Sequence, residues 1–199
     1  MLHHSRPQTE GFLVLDYGSQ YTLLIARRLR ELGYYAEVID GIQIEPPKGF
    51  KALGVILSGG PDSITHADGR RLPDWVLKMS QPILGICYGL QALVAQLGGQ
   101  IRSGKGREYG RSQLFLEKPV GHLFHDVPAS STVWMSHGDD IDTLDNIWAT
   151  LAKTGDGVIA AVGHRNRPIY GLQFHPEVQH TEYGAKILEN FASRESRVS

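Results

Sequence analysis

The pattern of residues 81–99, which read QPILGICYGLQALVAQLGG, constrains the fold of this chain more than any other stretch. It begins with a short apolar strand over Ile83, Leu84 and Ile86. Apolar residues then recur at helical spacing until two consecutive glycines end the pattern. Cys87, the only cysteine of the chain, falls on the tight turn between the predicted strand and the predicted helix.

Small residues flank this cysteine on both sides. Gly85 and Gly89 make the turn a G-x-C-x-G variant of the nucleophile elbow, in which small neighbours allow a strained turn to lift the nucleophile above the sheet. The positive end of the following helix favours the thiolate over the thiol. A lone cysteine in an arbitrary chain is more often a buried structural residue. Two glycines at this spacing favour a nucleophile instead.

The length of 199 residues allows one substantial hydrophobic core and predicts one domain. We assign residues 11–192 to this domain, residues 1–10 to a flexible N-terminal lead-in and residues 193–199 to a polar tail. Hydrophobic residues make up 41% of the chain and charged residues 21%, which is the balance expected of a globular protein rather than a disordered one.

The charge, the cysteine count and the apolar runs of the chain exclude several classes of protein. A net charge of −1 offers no basic surface to nucleic acid or to an anionic membrane. A single cysteine cannot form an internal disulfide, which fits a reducing cytosol. No apolar run is long enough to span a bilayer, and the first residues lack the apolar core of a signal peptide. We therefore expect a cytoplasmic protein that binds neither nucleic acid nor membranes.

Strands and helices alternate over the first half of the chain. This alternation predicts a three-layer α/β sandwich with a mainly parallel, flavodoxin-like central sheet and ligands at the carboxyl ends of its strands. After residue 110, short strands separated by Gly, Pro, Asp and Asn turns predict an added antiparallel portion. One predicted helix follows Cys87, and the others cover residues 21–32, 72–79 and 184–192. The predicted strands cover residues 11–15, 36–39, 53–57, 83–86, 111–117, 131–135, 148–153, 158–164 and 169–174.

A cysteine nucleophile needs a base, and the base needs a group that orients it. Of the nine histidines, His175 in GLQFHPEV is the best candidate because it follows a predicted strand. Pro176 favours an extended conformation at His175, and side chains two apart on an extended segment lie on the same side. Glu177 can therefore accept a hydrogen bond from one imidazole nitrogen and leave the other to take the thiol proton.

The other histidines give no second site. His66, His122, His125 and His164 lie in predicted turns or surface segments, where we expect them to be solvated. No pair of histidines has the spacing of metal ligands together with a second carboxylate or thiol. The sequence therefore predicts no metal site.

The SGGPDS loop at residues 58–63 admits two functional interpretations. The backbone N–H groups of Gly59 and Gly60, together with that of Tyr88, could form an oxyanion hole. A similar glycine-rich signature cradles pyrophosphate in ATP pyrophosphatases. Pro61 argues against phosphate, because it removes an amide donor and no basic residue stands between Gly59 and Thr65 to meet phosphate charge. A plain tight turn is the third alternative.

Three further polar residues are candidates for binding a ligand. Ser136 and His137 follow a predicted strand in VWMSHGDD and precede an acidic turn, so they could bind a polar ligand or cap the turn. Gln91, one turn into the elbow helix, could face either the pocket or solvent. The sequence pattern does not choose between these alternatives.

The motifs GICYGLQ, SGGPDS, WMSHGD and GLQFHPEVQHT together resemble those of class I, triad-type glutamine amidotransferases over residues 11–192. Within that family the chain is most similar to the glutaminase domains of GMP synthases. This finer resemblance rests on DYGSQYTLLIARRLRELG near the start, on REYGRSQL and WMSHGD, and on His180 with Thr181 after HPEV.

The resemblance implies a role for each matching residue. Cys87 would be the nucleophile, His175 the base and then the acid, and Glu177 the group that orients the imidazole. The remaining candidates would bind the substrate: Gly59, Gly60 and Tyr88 at the oxyanion, and Gln91, Ser136 and His137 along the glutamine.

A partner and an acceptor are also implied by the resemblance. Ammonia from glutamine would pass to an ATP pyrophosphatase domain or subunit, which uses ATP and magnesium to adenylate XMP and aminate it to GMP. We expect this chain to be the glutaminase half, with no cofactor of its own. The alternatives are an amidotransferase for anthranilate, aminodeoxychorismate or CTP, a γ-glutamyl hydrolase, or a non-catalytic regulatory domain. His180 and Thr181 disfavour the rival enzymes, and the complete triad disfavours the regulatory domain.

Overall fold

A nine-stranded mixed sheet runs through the described residues of this computed structural model, which are 9–118 and 120–195. In chain order the strands are β1 (Glu10–Asp16), β2 (Ala36–Asp40), β3 (Lys51–Leu57), β4 (Ile83–Ile86), β5 (Gly99–Leu116), β6 (Ser130–Leu144), β7 (Trp148–Thr154), β8 (Ile159–His164) and β9 (Ile169–Leu172). The helices are α1 (Thr22–Glu31), α2 (Asp74–Lys78), α3 (Tyr88–Leu97) and α4 (Gly184–Asn190), and a π-helical turn over Phe191–Glu195 follows α4. Residues 1–8 of the predicted lead-in and residues 196–199 of the predicted tail lie outside the described residues.

Five parallel strands form one half of the sheet, in the order β2-β1-β3-β4-β9. This is the strand order of flavodoxin-like folds, so the predicted parallel sheet is confirmed. The carboxyl ends of β1, β3, β4 and β9 lie along one edge of the sheet. Loops that leave these ends therefore meet, although they come from distant parts of the chain.

Alternate residues of the parallel strands pack against helices on opposite faces. Phe12 and Val14 of β1 belong to a buried cluster that includes apolar residues of α1 and α4. Leu13 and Leu15 of the same strand belong to a second buried cluster, which includes residues of α2 and α3. Because successive side chains of a strand point to opposite faces, one strand contributes to both cores. The predicted three-layer sandwich is confirmed.

The other half of the sheet is antiparallel, in the order β9-β8-β7-β5-β6. The predicted antiparallel portion is confirmed, but two of its strands are longer than predicted. β5 begins at Gly99 rather than Arg111, and β6 continues to Leu144 through Asp139 and Asp140, which were expected to form an acidic turn. Pairing between the two strands, rather than an apolar pattern in either, defines these extensions.

Two predicted elements are longer than the observed ones. The helix expected over residues 72–79 is the single short turn α2. The strand expected to reach Phe174 ends at Leu172, after which Phe174 forms an isolated bridge to Met135. The early end of β9 leaves an irregular segment just before His175, at the edge of the sheet where the loops meet.

His164 is buried, and the prediction that it is solvated was wrong. It ends β8, is 9% exposed, and packs edge-on against Trp148 with ring centroids 5.5 Å apart. Its Nδ1 accepts hydrogen bonds from the backbone N–H groups of Asn166 and Arg167. Burial, and then the positive charge of Arg167, lower the pKa of His164 below its ordinary value. The neutral ring therefore acts as an acceptor that closes the turn between β8 and β9.

Glu195 extends the packed structure beyond residue 192. It is 5% exposed, and its carboxylate accepts hydrogen bonds from the Tyr170 hydroxyl at 2.9 Å and from the backbone N–H of His122 at 2.6 Å. The first part of the predicted tail, residues 193–195, therefore packs as a continuation of α4.

Candidate active site

The strand-to-helix turn at Cys87 has the geometry of a nucleophile elbow. β4 ends at Ile86, α3 begins at Tyr88, and Cys87 between them has a φ of 52°. A side-chain-bearing residue in this left-handed region costs on the order of 1–2 kcal/mol. The backbone N–H of Cys87 donates to the carbonyl of Leu172 in β9 at 2.7 Å, which ties the turn to the neighbouring strand.

Close backbone packing explains the two glycines of the elbow. A Cβ on Gly85 would lie 2.6 Å from the carbonyl carbon of Gly89, and a Cβ on Gly89 would lie 2.5 Å from the carbonyl oxygen of Leu57. Real Cβ atoms do not approach so closely, so α3 can pack against β3 and β4 only when both positions lack side chains. The elbow predicted from G-x-C-x-G is present.

His175 and Glu177 form a buried pair beside the elbow. The imidazole Nδ1 of His175 lies 2.7 Å from the Oε1 of Glu177, and the two residues are 4% and 1% exposed. They follow β9, which pairs with β4 in parallel, so the chain brings them to the same edge of the sheet as Cys87. The predicted arrangement of cysteine, histidine and glutamate is therefore realised in space.

The electrostatics of this cluster favour a protonated imidazole. Burial alone would lower the pKa of His175, but the carboxylate of Glu177 and hydrogen bonding to Cys87 and Glu177 outweigh it and raise the pKa well above its ordinary value. An imidazolium beside a thiol stabilises the thiolate. Glu177 Oε2 is buried and has no hydrogen-bond partner among the described residues, so the carboxylate acts on His175 through Oε1 alone.

The SGGPDS loop lies directly against the nucleophile and the base. A Cβ on Gly59 would lie 3.2 Å from Cε1 of His175 and 3.5 Å from the Cβ of Cys87. Gly60 lines the same cavity as Cys87 and His175. Among the described residues, the backbone N–H groups of Gly59, Gly60 and Tyr88 donate no hydrogen bond. They remain available as donors for the oxyanion hole that the sequence predicts.

Gln91 faces the pocket rather than solvent. It is 3% exposed, and its side-chain amide donates to the carbonyl of Asp139 at 3.0 Å and to Oε1 of Gln173 at 3.3 Å. Ser136 also borders the nucleophile, because its carbonyl oxygen lies 3.4 Å from the Sγ of Cys87. The α3 helix and the β6 strand thus form two walls of one cavity.

His137 lines this cavity but its ring is held by carboxylates. Nε2 lies 3.1 Å from Oε2 of Glu108 on β5, and Nδ1 lies 3.2 Å from Oδ1 of Asp140 and 2.9 Å from the carbonyl of Asp139. Its side chain is 2% exposed. The imidazole therefore links β5 to β6 at the wall of the cavity.

The cavity has a volume of about 660 Å³, within the range of sites that hold small molecules. It is lined by residues from the loops after β1 and β3, by the elbow, by β5 and β6, and by His175. In the described residues, no group of three or more His, Cys, Asp or Glu side chains could hold a metal ion. No described helix is long and apolar enough to cross a membrane.

The sequence-family comparison decides the identity of this domain. The model of a family described as glutamine amidotransferase class-I matches residues 13–194. The chain belongs to the class-I glutamine amidotransferase family. The predicted family is confirmed, and the match covers the elbow, the SGGPDS loop and the pair that follows β9.

Curated relatives of this amidotransferase are GMP synthases. The chain is 46% identical over 183 residues to the glutamine-hydrolysing GMP synthase of Thermosipho melanesiensis, and 47% identical over 183 residues to that of Eremothecium gossypii. Each alignment covers 92% of this chain but 35% of the relative. The chain thus spans about a third of the length of the curated relatives that it matches.

Two solved structures resemble the amidotransferase fold described above. A candidate GMP synthase subunit from Thermoplasma acidophilum superposes with a TM-score of 0.82 at 30% identity, over 94% of each chain. A glutamine amidotransferase from Thermotoga maritima superposes with a TM-score of 0.72 at 20% identity, over 94% of this chain and 95% of that one. The second supports the fold alone, whereas the first is similar in sequence along nearly its whole length.

Two residues that contact the cysteine and the glutamate of this amidotransferase site were not predicted from the sequence. Gln173 is fully buried, and its side-chain amide lies 3.6 Å from the Sγ of Cys87. Its position two residues before His175 is a signal that could have found it. Arg28 on α1 donates from Nε to the backbone carbonyl of Glu177 at 3.0 Å. No local pattern links α1 to a residue so distant in the sequence, so this contact needed the fold.

Proposed function

We propose that this domain hydrolyses the side-chain amide of glutamine through Cys87, His175 and Glu177. One observation carries the proposal: a cysteine on a strained elbow lies in a 660 Å³ cavity beside a buried His–Glu pair. We further propose that the released ammonia converts XMP to GMP on a separate ATP-dependent synthetase domain or subunit. The names of the relatives, and the additional length that they have, support this second part.

The proposed chemistry begins with attack of the Cys87 thiolate on the amide carbon of glutamine. The carbonyl oxygen becomes an oxyanion that the N–H groups of Gly59, Gly60 and Tyr88 are available to bind. Collapse breaks the C–N bond, and the imidazolium of His175 gives its proton to the leaving ammonia. His175 then takes a proton from water, which attacks the thioester and releases glutamate and the thiol.

The proposal divides the reaction between this domain and the synthetase part. This domain supplies the nucleophile, the acid–base group and the walls of the glutamine site, and amide hydrolysis by this route requires no cofactor. ATP and magnesium belong to the synthetase part, which activates XMP for attack by ammonia. We place both parts in the cytoplasm.

An electrophilic glutamine analogue, such as a diazoketone, tests the first part. We expect mass spectrometry to find one adduct on Cys87 in the wild-type protein and none in Cys87→Ala. His175→Ala should lose hydrolysis by on the order of 10³-fold. An adduct on another residue, or none on Cys87 with and without a synthetase partner, would contradict the proposed nucleophile.

The second part is tested with a synthetase portion taken from a relative. XMP, ATP and magnesium should yield GMP with glutamine only when this domain is added, whereas free ammonium salt should support the synthetase alone. Free ammonia that works while glutamine fails, with Cys87 reactive, would show that the domain serves another acceptor. The two parts of the proposal can therefore fail separately.

A further inference from the structure

Arg70 connects three walls of the active site although no sequence motif includes it. Its Nη2 donates to the backbone carbonyl of Tyr17 in the loop after β1. Its Nε donates to Oδ2 of Asp62 at 3.0 Å, in the SGGPDS loop. Its own backbone carbonyl accepts the hydroxyl of Tyr88, the first residue of α3. One residue thus touches the loops after β1 and β3 and the helix that follows the nucleophile.

The carbonyl that Arg70 holds is also the surface against which the oxyanion loop packs. A Cβ on Gly60 would lie 2.1 Å from the carbonyl oxygen of Tyr17. The N–H of Tyr17 donates to the Ser58 hydroxyl at 2.9 Å, and that hydroxyl donates to the carbonyl of Gly59 at 2.8 Å. The Tyr17 backbone therefore contacts Gly60 directly and is linked to Gly59 through the Ser58 hydroxyl.

Hydrogen bonds to other parts of the chain also hold this loop. Residues 58–73 between β3 and α2 contain no helix or strand, and long irregular segments of this kind are usually functional. Ser63 bonds to the Asp139 carboxylate at 2.5 Å, and Leu72 bonds to the side chain of Gln96 at 2.7 Å. On the β1 side, Ser58 bonds to the backbone of Leu15 and Tyr17 at the start of the loop, and Arg70 adds a contact to Tyr17 near the end of the loop.

We infer that Arg70 is a positioning residue, which sets the backbone donors of Gly60 and Tyr88 relative to the reacting carbonyl by clamping Tyr17 and Asp62. This inference rests on the proposed glutamine hydrolysis and adds a residue to it. A planar guanidinium can serve both acceptors at once, whereas an ammonium has no such fork. The side chains of Arg70 and Asp62 are 32% and 38% exposed. Because this ion pair is open to solvent, it adds little to the free energy of unfolding.

The test compares Arg70→Ala and Arg70→Lys with Arg71→Ala. Arg71 is exposed and makes no hydrogen bond or ion pair among the described residues, so it is a matched control for the loss of charge. Three quantities are measured: kcat and KM for glutamine with the synthetase part present, the rate of Cys87 alkylation by iodoacetamide, and Tm. Alkylation forms no oxyanion, so it reports the thiolate and its access without reporting the oxyanion donors.

We expect Arg70→Ala to lower kcat about 10- to 100-fold, the effect of a displaced oxyanion donor, while KM and the alkylation rate stay within about twofold. Arg70→Lys should fall between Arg70→Ala and wild type, and Arg71→Ala should match wild type. An unchanged kcat, an equal loss in Arg71→Ala, or a parallel fall in kcat, alkylation rate and Tm overturns the inference. Absence of turnover in the wild-type protein overturns the proposed function itself.

Discussion

The hydroxyl of Thr181 donates to the backbone carbonyl of His175 at 2.7 Å and accepts from the backbone N–H of Trp134 at 3.1 Å. The N–H of His175 in turn donates to the carbonyl of Trp134 at 3.0 Å. The ring of His180 packs at a tilt of 37° against that of Trp134, with centroids 4.7 Å apart. The motifs WMSHGD and HPEVQHT therefore pack against each other, and their hydrogen bonds hold the backbone of His175 in place.

Replacing Thr181 with valine keeps the shape of the side chain but removes both hydrogen bonds. Because the site is 5% exposed, the orphaned carbonyl of His175 and N–H of Trp134 should cost about 1–3 kcal/mol in the free energy of unfolding. Urea denaturation measures this cost. Thr181→Ser keeps the hydroxyl and should lose less than half as much. Equal losses in the two variants would assign the effect to the methyl group instead.

Glu177→Gln should move the alkaline limit of glutamine hydrolysis to lower pH. The glutamate charge helps to raise the pKa of His175, so its removal lets the imidazolium lose its proton at lower pH. The leaving ammonia then lacks its acid, and kcat should also fall, on the order of 10²-fold. Rate profiles over pH 6 to 10 measure the shift. An unmoved alkaline limb would show that another group controls the imidazole.

Stability should depend on pH through the same pair. His175 has a folded-state pKa above its unfolded value, so the folded state holds the extra proton between the two. This stabilisation is fully present below about pH 6.5 and is lost as pH rises through the folded pKa. The difference in unfolding free energy between wild type and Glu177→Gln should therefore shrink from pH 6 to pH 10. A difference that grows with pH would contradict the assigned direction.

Gly89→Ala should destabilise the elbow by about 3 kcal/mol or more, because its Cβ would strike the backbone of Leu57 at 2.5 Å. Gly157→Ala is the control, since Gly157 has a φ of 80° with nothing within 4 Å of an added Cβ. That substitution should lower the free energy of unfolding by only about 1–2 kcal/mol, which is the strain of placing alanine in the left-handed region. Chemical denaturation of both variants checks the order. A smaller loss at Gly89 would mean that α3 can move away from β3.

Glu195 should contribute measurably to stability although it lies beyond the predicted domain boundary. Glu195→Ala leaves the buried hydroxyl of Tyr170 and the N–H of His122 without their acceptor, at a cost of about 1–3 kcal/mol. A chain shortened to end at residue 192 should lose at least as much. Urea denaturation of these proteins, compared with one ending at residue 195, tests the boundary. Equal stability of the chains ending at 192 and 195 would show that residues 193–195 add nothing to the fold, as the predicted tail requires.

Local patterns were sufficient to predict the elbow, the His–Glu pair and the class of sheet. Cys87 between two glycines, and His175 two residues before Glu177, are each defined within a few residues, so the sequence alone reveals them. His164 was misjudged because its burial depends on Trp148, which is brought beside it by the pairing of β7 with β8. Arg70 was missed for a related reason. Its partners Tyr17 and Tyr88 come from other elements, and only the assembled sheet places them together.

The position of β9 has a consequence for how the protein is made. Of the nine strands of the described sheet, this one is the last in chain order, yet it lies between β4 and β8 in the interior of the sheet. Until residues 169–172 leave the ribosome, the edge of β4 stays unpaired and Cys87 lacks the carbonyl that binds its N–H. Insertion of β9 between β4 and β8 joins the two halves of the sheet and brings His175 to the edge where Cys87 lies. A nascent chain therefore carries the Cys87 thiol through the synthesis of residues 88–168 without the group that activates it, and gains that group only after β9 is made.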